Sequence, residues 1–332
     1  MSKLRVALFG LGRAGQFHLQ SLRSIPNVEL ACVVDVDSAK ATSVAAEMGC
    51  DIAATVEAAV SRDDVDATII ATPTGEHFSQ IKASLEAGKE VLTEKPLGQG
   101  LEEIEDCFEL AKARGKILFV GFNRRFDPTF ASLKRQVSEG AVGQLQMIKV
   151  TSRDSPLPSL DYLKTSHGIY HDCIVHDVDM LRFITGQDPV EVYSIGSNFV
   201  PEIREIDDLD NVLVSLRYGS GLLATIDVNR KATYGYDQRI EAFGTKGMIQ
   251  AENRAPDSTM LANAGGMNRP PIEFSFPTRY RDAYRVELEA FCKAVHTRES
   301  PISYDDVRRS FVLCELAERS QKEGLPKLVN LE

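Results

Sequence analysis

The stretch Arg5-Val6-Ala7-Leu8-Phe9-Gly10-Leu11-Gly12-Arg13-Ala14-Gly15 decides the fold. Arg5 to Phe9 is a short apolar run that reads as a buried strand, and three glycines follow at once in the order GxGxxG. A helical pattern then carries Phe17, Leu19 and Leu22 and stops at Pro26. A second apolar run, Leu30 to Val34, ends at Asp35, twenty residues beyond Gly15. The motif alone is weak, but between a strand and a helix it predicts a dinucleotide-binding βαβ unit. Gly10 permits the tight turn, Gly12 lets the backbone approach a pyrophosphate, and Gly15 lets helix and strand pack closely. Arg13 and Ala14 open the helix, whose free N–H groups and dipole suit phosphates. Asp35 can accept hydrogen bonds from both ribose hydroxyls and would repel a 2′-phosphate, so the expected cofactor is NAD.

Strand and helix signals go on alternating. Ala67 to Ala71, Glu90 to Thr93 and Lys116 to Gly121 read as strands, with helices from about Glu76 to Ala87 and Leu101 to Ala113. This pattern predicts a doubly wound parallel sheet over residues 1–121, with ligands beyond the carboxyl ends of its strands. Thr72, His77, Glu94, Lys95 and Asn123 to Arg125 follow those ends and are expected to converge on cofactor and substrate. His77 reads equally well as a surface helix residue.

Beyond Arg125 the pattern changes. Asp127-Pro128 opens a helix, and six strand-like runs lie between Gln146 and Ala251, with hairpin turns at Tyr218 to Gly221 and Gly244 to Gly247. These predict a second, α+β domain over 122–332 built on a mainly antiparallel open sheet. An excursion loop from Arg254 to Pro277 and two closing helices complete it. Near its start stands Tyr170-His171-Asp172-Cys173-Ile174-Val175-His176-Asp177-Val178-Asp179. On an α-helix Asp172, His176 and Asp179 share one face, with Ile174, Val178, Leu181 and Thr185 opposite. An imidazole oriented by a carboxylate is a general base near neutral pH; the plainer reading is a solvated helix face with an i,i+4 pair.

Composition sets the class. The 332 residues are long for one core and carry a formal net charge of −10, which argues against nucleic acid as a partner. No apolar run approaches the ~20 residues that span a bilayer. The six scattered cysteines make no CxxC and read as reduced thiols of a cytoplasmic protein.

These residues resemble the Gfo/Idh/MocA family of NAD(P)-dependent oxidoreductases over essentially the whole chain. The resemblance rests on GLGRAG followed by His18, on TPTGEH (Thr72 to His77) and on Glu94-Lys95-Pro96. It also rests on GFNRRFDP (Gly121 to Pro128), SRD (Ser152 to Asp154), DxxxHD (Asp172 to Asp177) and YGYDQRIEAFGTKG (Tyr234 to Gly247). SRD and YGYDQR point to the inositol-oxidising branch. The resemblance implies that Lys95, Asp172 and His176 form the catalytic set. It places Arg125, Asp154 and Tyr236, with Asp172 and His176, on the hydroxyls of a cyclic polyol, and implies oxidation of myo-inositol to a keto-inositol. Two departures stand near the expected pocket. His167-Gly168 replaces a usual pair of glycines, and Ser155 to Leu160 (SPLPSL) is altered. An aldose or other sugar as substrate, an NAD-sensing protein without turnover, and a metal site at His171, Asp172, Cys173 and His176 are the alternatives. The diverging helical positions of His171 and Cys173 argue against the metal. An uncovered apolar face on the second sheet predicts a homodimer or homotetramer.

Overall fold

The computed structural model describes residues 3–331. The chain forms two compact units: one runs to Phe126 and takes in Arg281–Arg308, and the other is Asp127–Tyr280 with the chain from Arg309 onward.

The first part of the chain runs β1 (Leu4–Phe9), α1 (Arg13–Ser24), β2 (Val28–Val34), α2 (Ser38–Met48), β3 (Asp51–Ile52), α3 (Val56–Val60), β4 (Ala67–Ile70), α4 (Thr74–Glu86), β5 (Glu90–Glu94), α5 (Leu101–Arg114) and β6 (Leu118–Gly121). The six strands make one parallel sheet in the order β3-β2-β1-β4-β5-β6. Val6 to Phe9, Ile69, Ile70, Val91 and Leu92 are wholly buried. Helices cover both faces of such a sheet, which is why its strands read as unbroken apolar runs. Between β1 and β4 the order reverses, and ligands of open α/β sheets bind outside the strand ends at that switch.

After a 3-10 turn (Asn123–Phe126) come α6 (Pro128–Ser138), β7 (Leu145–Arg153), α7 (Leu160–Leu163), a π-helical turn (Tyr170–Ile174), α8 (Val175–Thr185), β8 (Pro189–Ser197) and α9 (Pro201–Glu205). The chain continues through β9 (Asn211–Tyr218), β10 (Leu223–Asn229), β11 (Asp237–Gly244), β12 (Gly247–Ala251), β13 (Leu261–Asn263), β14 (Gly266–Asn268), α10 (Phe276–Arg279), α11 (Arg281–Thr297), α12 (Tyr304–Glu323) and β15 (Lys327–Leu328). Asp127 caps α6 by accepting the amides of Thr129 and Phe130. The second sheet has the order β12-β11-β7-β10-β9-β8-β15. Only β7 and β10 run parallel; the other neighbours are antiparallel. One face buries Ile148, Val150, Val214, Leu216, Ile226 and Ile240, while Met147, Leu213, Leu223 and Phe243 on the other are exposed.

A single boundary near residue 121 does not describe these units. Helix α11 belongs to the first: the ring of Tyr284 lies 5.2 Å from that of Phe17 and edge-on to that of His18 at 5.5 Å, and Phe291 meets Phe119 at 5.8 Å. An amphipathic stripe buries wherever an apolar surface awaits it, and here that surface is on α1 and β6. The excursion expected from Arg254 to Pro277 contains the short β13–β14 hairpin and the start of α10. No described helix is long and apolar enough to cross a membrane.

Candidate active site

The glycine turn of the first unit has the geometry its spacing requires. Gly10 sits at φ +83, and a Cβ there would lie 2.7 Å from the Ala71 carbonyl oxygen. A Cβ on Gly15 would overlap the carbonyl oxygen of Gly10. A Cβ on Gly12 would meet nothing within 4 Å, so the space above this glycine is open. Gly12 is also the N-cap of α1, and no side chain caps that end. The first-turn N–H groups of a helix have no intrahelical partner, so an open approach over Gly12 to Arg13 and Ala14 fits a pyrophosphate. Asp35 closes the turn from β2: its Oδ2 accepts the Leu11 amide at 2.6 Å and its Oδ1 the Asp37 amide at 2.8 Å. Each carboxylate oxygen has a second lone pair, so Asp35 can hold the loop and still accept ribose hydroxyls.

At the ends of β4 and β5 the expected residues do converge, but largely on one another. His77 is 1% exposed, with Nδ1 2.8 Å from the Pro96 carbonyl and Nε2 2.8 Å from that of Thr72. Its ring staples two backbones, so it is not the surface helix residue of the alternative reading. Thr72 Oγ1 donates to Gln80. Glu94 Oε1 meets His18 Nε2 at 2.8 Å, with His18 fully buried. Lys95 therefore stands in a segment held on one side by His18 through Glu94 and on the other by His77 through Pro96. Behind Glu94 lies Glu287 of α11, fully buried, with neither carboxyl oxygen hydrogen-bonded. Burial first, and then the Glu94 charge, push Glu287 well above the usual carboxyl range, which favours its protonated form. Arg125 pairs with Asp306 at 3.0 Å in the same unit. Burial works against the Asp306 charge, but the Arg125 hydrogen bond prevails and holds it at about 2.

The second unit contains Asp154, Asp172, His176 and Tyr236. The helix that carries Asp172 and His176 is not α-helical throughout. Its first turn is π, with the Val175 amide bonded back to the Tyr170 carbonyl five residues earlier, so a uniform 100° step does not apply. Nor does it offer a solvated face. Asp177 and Asp179 are as buried as Val178 and Leu181, and no residue from Tyr170 to Ile184 is exposed. Asp172 and His176 are partly open. π turns concentrate at functional sites, and this one gathers polar groups. Asp172 Oδ2 accepts from Arg230 Nη1 at 2.8 Å and Oδ1 from the Tyr162 hydroxyl at 2.7 Å. Cys173 Sγ lies 3.5 Å from both Asp154 Oδ2 and Arg230 Nη1, so Asp154 and Asp172 do come together. Tyr236 is packed edge-on to Tyr280 at 5.9 Å.

Sequence reasoning missed Arg230 and Tyr162. Arg230 directly follows a strand, and Tyr162 lies on the short helix α7, just beyond the altered run Ser155 to Leu160; neither position carries a motif. The departure at His167-Gly168 also gains a meaning. His167 takes φ +61 and Gly168 φ +74, so the histidine adopts a backbone that glycine adopts freely, at a strain of about 1–3 kcal/mol.

Comparison with known proteins places these features. The Gfo/Idh/MocA oxidoreductase profile, described as an NAD-binding Rossmann fold, matches residues 4–122, and the profile of that family's C-terminal domain matches residues 130–250. The chain is 38% identical over 322 residues to an inositol 2-dehydrogenase of Rhizobium meliloti, covering 96% of this chain and 97% of the relative. It is 38% identical over 323 residues to a myo-inositol 2-dehydrogenase of Thermotoga maritima, covering 96% and 97%. Among solved structures, the scyllo-inositol dehydrogenase of Lactobacillus casei with bound NAD(H) and scyllo-inositol matches with a TM-score of 0.91 at 26% identity, over 98% of this chain and 99% of that one.

Proposed function

The chain belongs to the Gfo/Idh/MocA family of oxidoreductases, whose first domain is an NAD-binding Rossmann fold, and from that premise we propose that it is an NAD-dependent dehydrogenase of cyclic polyols. Myo-inositol, oxidised at one ring hydroxyl to a keto-inositol, is the substrate we assign. The observation that carries this reading is the meeting of Asp154 and Asp172 around Cys173, at the start of the helix that bears His176. Several acceptors beside one imidazole suit a substrate that presents several hydroxyls and loses a proton from one.

NAD, when bound, supplies the hydride acceptor. His176 takes the proton of the reacting hydroxyl, and Asp172 steadies the resulting imidazolium. Lys95 donates a hydrogen bond to the oxygen on which negative charge develops, an effect worth a few kcal/mol. Asp154, Tyr236 and Arg125 hold the remaining hydroxyls; for Arg125 this requires nitrogens beyond the one that meets Asp306. A site built for hydroxyls rejects deoxy analogues strongly, because it leaves buried polar groups unpaired.

We also assign a homodimer or homotetramer. Phe243, Met147 and Leu223 lie in register across three neighbouring strands and are exposed, as are Leu213 and Ile195. Such an apolar row favours a second copy as its cover. The six free cysteines support a reducing, cytoplasmic setting.

The test is turnover of NAD with inositol isomers and common aldoses, for the wild type and His176→Ala. Loss of a general base costs ~10²–10⁴-fold in rate, with NAD affinity nearly unchanged. Wild-type turnover by a folded His176→Ala protein refutes the assignment of the base. Efficient turnover of an aldose with inert inositols moves the substrate to another branch of the family.

A further inference from the structure

The second unit grips the Asp172 carboxylate from two sides. Arg230, the residue after β10, is fully buried. Its Nη1 donates to Asp172 Oδ2 at 2.8 Å, its Nη2 to Asp208 Oδ2 at 3.0 Å and its Nε to the Leu209 carbonyl at 3.3 Å. The other oxygen of Asp208 accepts the amide of Ile169 at 2.9 Å, and Ile169 caps the π turn. On the opposite side the hydroxyl of Tyr162 donates to Asp172 Oδ1 at 2.7 Å. One connected path thus runs from the Ile169 amide through Asp208, Arg230 and Asp172 to Tyr162. A guanidinium out of water survives only with partners that fill its donors, and the two carboxylates do so.

We propose that Arg230 and Tyr162 are positioning residues of the reaction, holding Asp172 ionised and in one orientation so that it steadies the His176 imidazolium without taking its proton. This rests on the reading of Asp172 and His176 given above. A carboxylate that accepts charged and neutral hydrogen bonds on separate oxygens is favoured in its ionised form and cannot rotate without breaking one of them. Burial works against the Arg230 charge, but Cys173, Asp172 and Asp208 more than offset it and push its pKa up. Burial around the hydroxyl itself, and then the Asp172 charge, push the Tyr162 hydroxyl up, so it stays a donor although the residue as a whole is half exposed.

The titratable and charged neighbours come from several elements. On Asp172's own helix are His171, Cys173, with Sγ 3.9 Å from Asp172 Oδ2, His176 and Asp177. Asp154 follows β7, Asp208 follows α9, Tyr162 is on α7 and Arg230 follows β10. Glu318 of α12 faces His171 at 4.0 Å. Without Arg230, Asp172 would share its surroundings with Asp154 and Asp208 and lose the guanidinium bonded to it, so its proton affinity would rise.

The experiment compares Arg230→Gln, Arg230→Lys, Tyr162→Phe and Asp172→Asn for kcat, KM and the pH dependence of kcat. Losing a hydrogen bond to a charged group predicts a fall of about 10- to 100-fold in kcat for Arg230→Gln. Tyr162→Phe should show a smaller fall. In both, the acid limb of the profile moves to higher pH while KM for NAD stays put, and Arg230→Lys recovers part of the rate. Wild-type turnover by Asp172→Asn overturns the reading of Asp172 and, with it, this proposal. An impaired Asp172→Asn beside Arg230→Gln and Tyr162→Phe that keep wild-type kcat and acid limb overturns the positioning role alone, even if their stability drops. If Arg230→Gln fails to fold, Tyr162→Phe decides, since Tyr162 is 47% exposed and carries little core; an unmoved acid limb there overturns the proposal.

Discussion

The three glycines of the first turn should fail in three different ways when each is changed to Ala. At Gly10 the side chain must accept φ +83 and lie 2.7 Å from the Ala71 carbonyl oxygen. The left-handed backbone costs about 1–2 kcal/mol and forced overlap with backbone about 1–3 kcal/mol, so Gly10→Ala should lose about 2–5 kcal/mol. At Gly15 the backbone conformation is ordinary, but the new Cβ overlaps the Gly10 carbonyl oxygen, and no flexible side chain can yield. The loss should reach the upper part of the overpacking range, about 3 kcal/mol or more, because α1 must move off β1. At Gly12 nothing lies within 4 Å and φ is −71. Stability should change only by the poorer capping of Ala against Gly, about 1 kcal/mol or less. The open space, however, is where a pyrophosphate would approach, and a methyl group there should weaken NAD binding at least about tenfold, or 1.4 kcal/mol. Calorimetry of the free protein gives the stabilities, and titration of NAD against intrinsic fluorescence gives the affinities. If Gly12→Ala destabilised the free protein as much as Gly10→Ala while binding NAD normally, the open space would be a packing accident and the assigned phosphate site would be wrong.

Other perturbations test other parts of the molecule. Asp35→Ser should narrow the preference for NAD over NADP, read as the ratio of kcat/KM values; equal wild-type kinetics with the two cofactors would refute the role given to Asp35. Folding raises the Glu287 carboxyl well above its ordinary value of 4.5, so above that pH the folded state binds more protons than the unfolded one and stability falls as pH rises. Glu287→Met removes that loss, and its melting temperature relative to wild type should climb as pH rises above 4.5; a gap independent of pH would show that the carboxyl ionises in place. Changing Met147 and Phe243 together to Glu puts charge into the exposed row of the second sheet, and light scattering at micromolar concentration should then give a monomer mass; an unchanged oligomer would place the interface elsewhere.

Much of the first unit is legible because a parallel sheet covered on both faces leaves unbroken apolar runs, and because the glycine turn admits few residue types. What escaped there is the part with neither signal. Strand β3 is two residues long, with Ile52 48% exposed, so it has no run to read. Helix α2 is small-residue and weakly amphipathic, and its boundaries were written only in Asp37, which caps it through the Ala39 and Lys40 amides, and in Gly49 at φ +67. In the second unit the alternation of β7, β9 and β10 is plain, but the π turn is not. A helix that bonds five residues back and one that bonds four back use the same side chains, so the spacing of Asp172 and His176 carries no mark of the difference. Arg230 was illegible for another reason. Its partners Asp208 and Asp172 lie 22 and 58 residues before it, and a lone arginine after a strand ordinarily faces water.

The family motifs themselves divide by what their residues touch. Gly12 and the open end of α1 face unfilled space and suit a ligand. His18, His77 and Glu94 stand in the same motifs yet are spent on protein: His18 on Glu94, His77 on the carbonyls of Thr72 and Pro96. Lys95 lies between the two residues so held. A motif therefore records two demands at once, that a group reach the reaction and that the backbone carrying it not drift. A drift of about 1 Å can cost about 10²-fold in rate, so the residues that only hold the segment belong to the motif as firmly as the one that acts. Side-chain type cannot separate the two roles, because an imidazole serves either. Burial and partner do separate them: both of these histidines are enclosed, while His176 on the other unit is partly open. That partial openness is what the role we propose for His176, taking a proton from substrate, requires.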